Sequence, residues 1–211
     1  MHGMLTTGSG TAAGFVAAVD DALGAALGFE PFHGTLNLEI DAETTRPAPT
    51  ASLDEVGNDH CDGVDLTACR VGGVRAAVLR PLVPGYPPTK VEVVAPVRLR
   101  SLFRVGPGDS VRLTVDDSSP STLTADPAAL DAFDAVVVGA DGAFDAGSLP
   151  DTLSCSSVEG GASGERLAEV FARLDATPGN GVYVGATDGD AAAAATAGTS
   201  FLHVDQLSAV R

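Results

Sequence analysis

Two short segments near the start of the chain carry residues that could bind a phosphorylated ligand. Residues 6–14 (TTGSGTAAG) combine three glycines with hydroxyl side chains, so backbone amides could approach an anion closely. Thr35 and Asn37 lie two residues apart in a strand-like run, which places a hydroxyl and an amide oxygen on one face. Such oxygens suit a Mg²⁺ ion balanced by nucleotide phosphates. A structural turn and a hydrogen-bonded strand edge are the alternative interpretations.

A third segment, residues 90–100 (KVEVVAPVRLR), places a carboxylate inside an apolar strand. Glu92 faces either solvent or a site. Pro96 predicts a helix start, where unpaired N–H groups favour an anion, and Arg98 and Arg100 add positive charge in a chain with few cations. His33 is more typical of a surface or packing histidine than of a ligand.

The elements that must position these residues are mostly strands. Short runs rich in β-branched residues predict strands within residues 4–115, and short strands separated by turns favour a small barrel; these runs are residues 35–40, 71–79, 91–95 and 110–115. Apolar residues at steps of four predict an amphipathic helix, at Phe15, Val19, Leu23 and Leu27. A second helix is predicted over residues 97–103.

The pattern changes after residue 115. Residues 116–132 begin with a charged, turn-rich stretch and are predicted to be a linker. Beyond it, the order strand (133–138), helix (164–174), strand (181–185), helix (190–197), strand (201–204) predicts a parallel sheet covered by helices.

Composition limits the classes of function. The 211 residues carry a formal net charge of −16, with 28 acidic and 12 basic side chains, which argues against a nucleic-acid surface. An apolar share of 45% excludes a disordered acidic chain. Three cysteines lack metal-ligand spacing. No run is long enough to span a membrane, and no secretory signal is evident, so we expect a cytoplasmic protein.

The type of acidity is also informative. The chain is rich in aspartate and has a single lysine, Lys90, as in proteins of salt-loving archaea, where surface carboxylates stay hydrated in high salt. An ordinary acidic protein from a high-GC organism is the alternative.

Residues 28–38 (GFEPFHGTLNL) and 91–100 (VEVVAPVRLR), in this order, resemble the archaeal CTP-dependent riboflavin kinases. The resemblance covers about residues 4–115 and implies a six-stranded cradle-loop β-barrel over residues 1–115. It also implies transfer of the γ-phosphoryl group of CTP to riboflavin, giving FMN and CDP. The sequence departs from the family at Ala12 and Ala13, where a charged residue is usual, and at Pro84 and Gly85, where a threonine precedes the tyrosine.

The resemblance also implies roles for residues. Thr35 and Asn37 would hold Mg²⁺, and Glu92 and Gly85 would contact the flavin. Glu92 would act as the general base or would orient the substrate. The nucleotide would be held by two segments, which are Gly8, Ser9, Gly10, Thr11, Ala12 and Ala13, and then Val97, Arg98, Leu99 and Arg100. A flavin- or nucleotide-binding module with impaired catalysis is the alternative function.

Residues 133–211 resemble a degenerate haloacid-dehalogenase domain, which implies a small Rossmann-like αβα fold. Gly139 occupies the nucleophile position and Ala186 the first acid of the last motif. An aspartyl-phosphate mechanism requires that nucleophile, so we expect no phosphatase activity. Asp141 and Asp190 remain as a possible metal site. The sequence does not predict an oligomeric state.

Overall fold

In the computed structural model the chain divides into two compact units, an amino-terminal unit that ends near residue 124 and a carboxy-terminal unit over residues 125–209. The structure describes residues 1–8, 10–58, 61–123, 126, 130, 133–139, 154–158 and 161–204. No helix within these ranges is long and apolar enough to cross a membrane.

The amino-terminal unit is built on one antiparallel sheet. Its described strands are β1 (His2–Leu5), β2 (Leu36–Glu39), β3 (Ala51–Asn58), β4 (Cys61–Val71), β5 (Val74–Pro81), β6 (Lys90–Val94), β7 (Ser110–Arg112) and β8 (Thr114–Val115). They pair in the order β3-β4-β5-β6-β2-β1-β7, and β8 pairs with β4. The predicted β-rich amino-terminal half is therefore confirmed, although β1, β3 and all but the last residue of β4 were missed.

Two predicted strands contain a break. Residues 71–79 contain Gly72 and Gly73, whose φ values of 51° and 81° form a two-residue turn between β4 and β5. Residues 110–115 split at Leu113, because β7 pairs with β1 whereas β8 pairs with β4.

Helices cover one part of this sheet. They are α1 (Thr11–Ala18), α2 (Asp20–Leu27) and the short α3 (Leu99–Leu102). The predicted apolar face is confirmed, since Val19, Leu23 and Leu27 are buried against β4, β5 and β6. A single continuous helix is wrong, because the backbone turns at Val19 (φ −118°, ψ 18°) and Asp20 starts a new helix.

The carboxy-terminal unit contains a parallel sheet with helices, as predicted. Its described strands are β9 (Ala135–Gly139), β10 (Ser154–Val158), β11 (Gly181–Gly185) and β12 (Ser200–His203), in the order β10-β9-β11-β12. The helices α4 (Gly164–Arg173) and α5 (Asp188–Ala197) bury small and apolar side chains against it. The serine-rich β10 was not predicted, because it lacks an apolar run.

The end of α2 yields a test of the fold. Gly28 caps this helix with φ +67°, and a β-carbon there would lie 2.8 Å from the Ser121 carbonyl oxygen. We expect Gly28→Ala to lower the free energy of unfolding by about 1–3 kcal/mol through backbone strain and this clash. Urea unfolding followed by circular dichroism measures the change.

Gly24→Ala is the matched control. Gly24 lies within α2, and its β-carbon would meet only ordinary contacts at 3.6 Å and beyond. Alanine there should raise the free energy of unfolding by about 0.5–1 kcal/mol. Equal effects of the two substitutions would contradict the described helix end.

Candidate functional site

A cavity of about 860 Å³ opens in the amino-terminal unit, within the usual size for a small-molecule site. The segment after β1, the start of α1, strands β2 and β6, and the segment before α3 all contribute to its wall. Most of the predicted site residues line it: Gly8, Gly10, Thr11, Ala12, Ala13, Thr35, Asn37, Glu92, Val97, Arg98, Leu99 and Arg100. Two of the predicted residues are not among those shown to line the cavity. Ser9 lies outside the described residues, and Gly85 is not among those that line the cavity.

The glycine-rich segment is held tightly against β2. The Thr6 backbone N–H donates to the Asn37 carbonyl oxygen at 2.9 Å. A β-carbon at Gly8 would lie only 2.6 Å from Asn37 Nδ2, so this close approach requires glycine. Gly10 adopts φ +83° and begins α1 without a side-chain cap. The start of α1 therefore presents backbone to the cavity.

Thr35 and Asn37 are brought together as predicted. Asn37 Nδ2 donates to Thr35 Oγ1 at 3.1 Å and to the Thr35 carbonyl oxygen at 3.3 Å. Because the Thr35 carbonyl oxygen can only accept, the hydrogen bonds place the amide nitrogen toward Thr35, and Oδ1 remains as the acceptor of Asn37. Asn37 is only 6% exposed, so the side chain is fixed before any ligand binds.

Glu92 lies directly across the sheet from Asn37. The two residues are partners in the antiparallel pairing of β2 with β6, so their side chains share one face. Glu92 is 6% exposed and lines the cavity, so its side chain faces the cavity and not the solvent. Lys90 Nζ lies 2.5 Å from Glu92 Oε1. A buried carboxylate thus has a cation as its partner.

Sequence reasoning assigned no role to Lys90, Tyr86 or Arg46. Lys90 Nζ lies 5.5 Å from the centroid of the Tyr86 ring, and the Arg46 guanidinium lies 5.7 Å from the same centroid. Burial, followed by the nearby Glu92 charge, raises the pKa of the Tyr86 hydroxyl. One feature of the sequence could have indicated a role for Lys90: it is the single lysine of the chain and lies two residues before Glu92.

The segment before α3 is less helical than predicted. Arg98 has extended backbone (φ −72°, ψ 91°), so the helix begins at Leu99 and ends at Leu102 instead of covering residues 97–103. Arg98 is exposed beside the cavity. Arg100 Nη2 donates to the Thr6 carbonyl oxygen at 2.5 Å. Arg100 therefore ties this segment to the glycine-rich one, in addition to contributing charge.

His33 also lines the cavity, but its contact is local. Its Nε2 lies 3.3 Å from Asp20 Oδ2, and the His33 side chain is 52% exposed. This partly solvated pair agrees with the prediction of a surface histidine.

In the carboxy-terminal unit, Asp190 has a structural role. Its Oδ2 accepts hydrogen bonds from the backbone N–H groups of Ala186 and Thr187, each at 3.0 Å, and Oδ1 accepts from the Tyr183 hydroxyl at 2.7 Å. Thr187 and Asp190 form the capping box of α5. The described residues contain no cluster of three or more metal-ligating side chains. Asp141, the other half of the predicted metal pair, lies outside them, and the dehalogenase-like resemblance stays a prediction.

Comparison with known proteins relates the chain to a family. A family model named CTP-dep_RFKase, with the description "Domain of unknown function DUF120", matches residues 5–115. The chain belongs to this family. The matched region contains every described residue of the cavity wall.

Curated relatives are archaeal riboflavin kinases. That of Methanocella arvoryzae is 36% identical over 94 residues, which cover 43% of this chain and 44% of the relative. That of Thermococcus kodakarensis is 32% identical over 121 residues, covering 54% and 57%. That of Methanothermobacter thermautotrophicus is 38% identical over 94 residues, covering 44% and 77%. The chain thus spans about half the length of the first two.

The capping box of α5 generates a prediction. Burial of Asp190 disfavours its ionised form, but hydrogen bonds from Tyr183, Thr187 and the backbone outweigh it, so the pKa of Asp190 lies below its ordinary 3.8. Asp190→Asn should lower the free energy of unfolding by about 1 kcal/mol at pH 7, as for a lost helix cap.

Since the pKa of Asp190 is lower in the folded state, its contribution is complete above pH 3.8 and is lost as the pH falls through the folded value. The stability difference between Asp190→Asn and the unmutated chain should therefore shrink on acidification in thermal unfolding. Asp188→Asn, at the exposed start of the same helix, should change stability by only a few tenths of a kcal/mol. A difference that grows on acidification would contradict the assignment.

Proposed function

We propose that the chain is a CTP-dependent riboflavin kinase, which transfers the γ-phosphoryl group of CTP to the ribityl 5′-hydroxyl of riboflavin and releases FMN and CDP. One observation carries the proposal: the backbone at Gly8, the amide of Asn37 and the carboxylate of Glu92 line one cavity. Membership in the family supports the same activity.

Phosphoryl transfer depends on in-line positioning and on balancing charge at the phosphates. The hydroxyl oxygen of riboflavin would form a bond to the γ-phosphorus, while the bond from that phosphorus to the β,γ-bridging oxygen breaks and CDP leaves. The buried Glu92 carboxylate would accept a hydrogen bond from the hydroxyl and orient it, and would take up its proton as the new bond to phosphorus forms. Backbone N–H groups at the start of α1 and the exposed Arg98 would balance phosphate charge.

The residues present fit a metal carried by the nucleotide. Thr35 Oγ1 and Asn37 Oδ1 are neutral oxygens, and the described residues offer no all-protein cluster of acidic or imidazole ligands. Mg²⁺ typically keeps waters and takes much of its coordination from phosphate oxygens. We therefore propose that Thr35 and Asn37 contact Mg²⁺ bound to CTP, where the ion would neutralise negative charge on the phosphates.

The remaining wall suits the flavin. Phe15, Leu79 and Val83 give the cavity an apolar side. An apolar wall with a few fixed polar groups is the usual form of a site for a flat aromatic ligand. We propose that the isoalloxazine ring lies on this side, with the ribityl chain directed toward Glu92.

The strand pairings support the finer fold assignments. β7 pairs with β1 and β8 pairs with β4, and Leu113 alone separates these two strands, so we infer that the sheet closes into a six-stranded cradle-loop barrel. The order β10-β9-β11-β12 of parallel strands favours a Rossmann-like fold for the carboxy-terminal unit. We propose that this unit is a catalytically inactive dehalogenase relative.

The proposed activity is tested by following FMN chromatographically with riboflavin, Mg²⁺ and either CTP or ATP. The unmutated chain should form FMN with CTP and far less with ATP. Asn37→Ala should lower kcat/KM by about 100-fold or more, because it removes a fixed oxygen beside the phosphates. Asn180→Ala, an exposed asparagine of the carboxy-terminal unit, should leave the rate unchanged.

Circular dichroism of Asn37→Ala distinguishes lost chemistry from lost folding. Riboflavin binding without FMN formation by the unmutated chain would contradict the kinase and support the impaired binding module instead. Wild-type rates in a folded Asn37→Ala variant would contradict the proposed metal and phosphate position.

We also propose that the protein is adapted to high salt. Its net charge of −16 opposes folding at low ionic strength, and molar salt screens that repulsion. Raising KCl from about 0.1 M to about 2 M should increase the Tm by several degrees, as measured by circular dichroism. A Tm that is constant or falls over this range would contradict the adaptation.

A further inference from the structure

The geometry points to Lys90 as a positioning residue that fixes the Glu92 carboxylate for the riboflavin hydroxyl. The inference rests on the proposed function and adds a positioning residue to the same site. Lys90 and Glu92 lie two residues apart on β6, so their side chains project from the same face. Their contact of 2.5 Å joins Nζ to Oε1.

The pairing matters because the carboxylate is buried and the ammonium group is not. The Glu92 side chain is 8% exposed and the Lys90 side chain is 34% exposed. A buried charge without a partner is costly, and contact with the Lys90 ammonium group both offsets that cost and restricts the orientation of the carboxylate. Lys90 contacts Oε1, and the Tyr86 hydroxyl also lies close to the carboxylate, which contributes to the raised pKa of Tyr86.

Lys90 is itself held in place. Two cations lie near the Tyr86 ring, with Lys90 Nζ and the Arg46 guanidinium 5.5 and 5.7 Å from its centroid. Arg46 Nη2 also donates to the Pro87 carbonyl oxygen at 2.5 Å and to the Lys90 carbonyl oxygen. The backbone that leads into β6 is thereby fixed.

Groups on neighbouring strands define the rest of the environment. Glu39 is the β2 partner of Lys90, and Asn37 is the β2 partner of Glu92. Arg80 contributes positive charge near Arg46. Asn37 Nδ2 donates to Thr35. Among the described residues, Lys90 is the cation that forms an ion pair with Glu92.

A double-mutant cycle tests the coupling. Lys90→Met should lower kcat on the order of 10-fold and leave KM for CTP within about two-fold, because the lysine orients a group that acts on the hydroxyl. In the Glu92→Gln background the same substitution should change kcat by less than about two-fold. Lys90→Arg, which keeps the charge, should recover most of the loss. Arg112→Met, an exposed cation on β7 outside the cavity, is the matched control and should change neither parameter.

The single lysine provides a readout that does not depend on turnover. Acylation of Lys90 by an amine-reactive acetyl ester can be followed by mass spectrometry of one peptide. An ammonium group held in an ion pair is a poorer target than a released one. Glu92→Gln should therefore increase the acylation rate of Lys90 by about three-fold or more, and Arg112→Met should not change it.

The outcomes separate the two claims. An unmutated chain that forms no FMN overturns the proposed function, and the inference falls with it. FMN formation together with equal effects of Lys90→Met in both backgrounds overturns the inference alone. A raised KM for CTP with unchanged kcat also overturns it, since it would place Lys90 on the nucleotide. An acylation rate unaffected by Glu92→Gln overturns the ion pair itself.

Discussion

The pairing of β2 with β6 places Asn37 opposite Glu92, and the rest of the site is arranged around that pair. Both side chains are polar and almost fully buried, which is unfavourable unless each has a partner. Asn37 is satisfied by Thr35 on its own strand segment, and Glu92 by Lys90 on its own strand. Each polar group is thus oriented by a neighbour two residues away, before any ligand arrives. Pre-organisation of this kind is what phosphoryl transfer requires of a protein, since it needs fixed groups more than a covalent nucleophile.

The segments that surround this pair are joined through the backbone. Thr6 bonds to the carbonyl of Asn37, and Arg100 bonds to the carbonyl of Thr6, so the glycine-rich segment, β2 and the segment before α3 form one connected wall. Gly8 permits this closeness, because any larger residue would displace Asn37. The cavity is therefore built on a sheet, and the phosphate-binding position we propose inherits the rigidity of the strands.

Part of the arrangement around the cavity could be predicted from the sequence. Alternation along a strand places Thr35 and Asn37 on one face, a rule that holds without tertiary information, whereas it left the direction of Glu92 open. The turn at Gly72 was missed although a pair of glycines marks it. The break at Val19 was missed because apolar residues at steps of four continue through it, from Phe15 to Leu27. Arg46 comes near Lys90 only through Tyr86, which no spacing rule connects to Arg46, 40 positions earlier in the sequence. The Asp190 contacts show the converse, since a residue that resembles a metal ligand in sequence serves as a helix cap.

A structure of the chain crystallised with riboflavin, Mn²⁺ and a non-hydrolysable CTP analogue tests the central claim most directly, because anomalous scattering locates the ion. The account predicts Mn²⁺ in contact with Thr35 Oγ1 and Asn37 Oδ1, phosphates along the Gly8–Ala13 backbone, and the ribityl hydroxyl at Glu92. An ion or nucleotide bound away from Asn37, with this cavity empty, would contradict it.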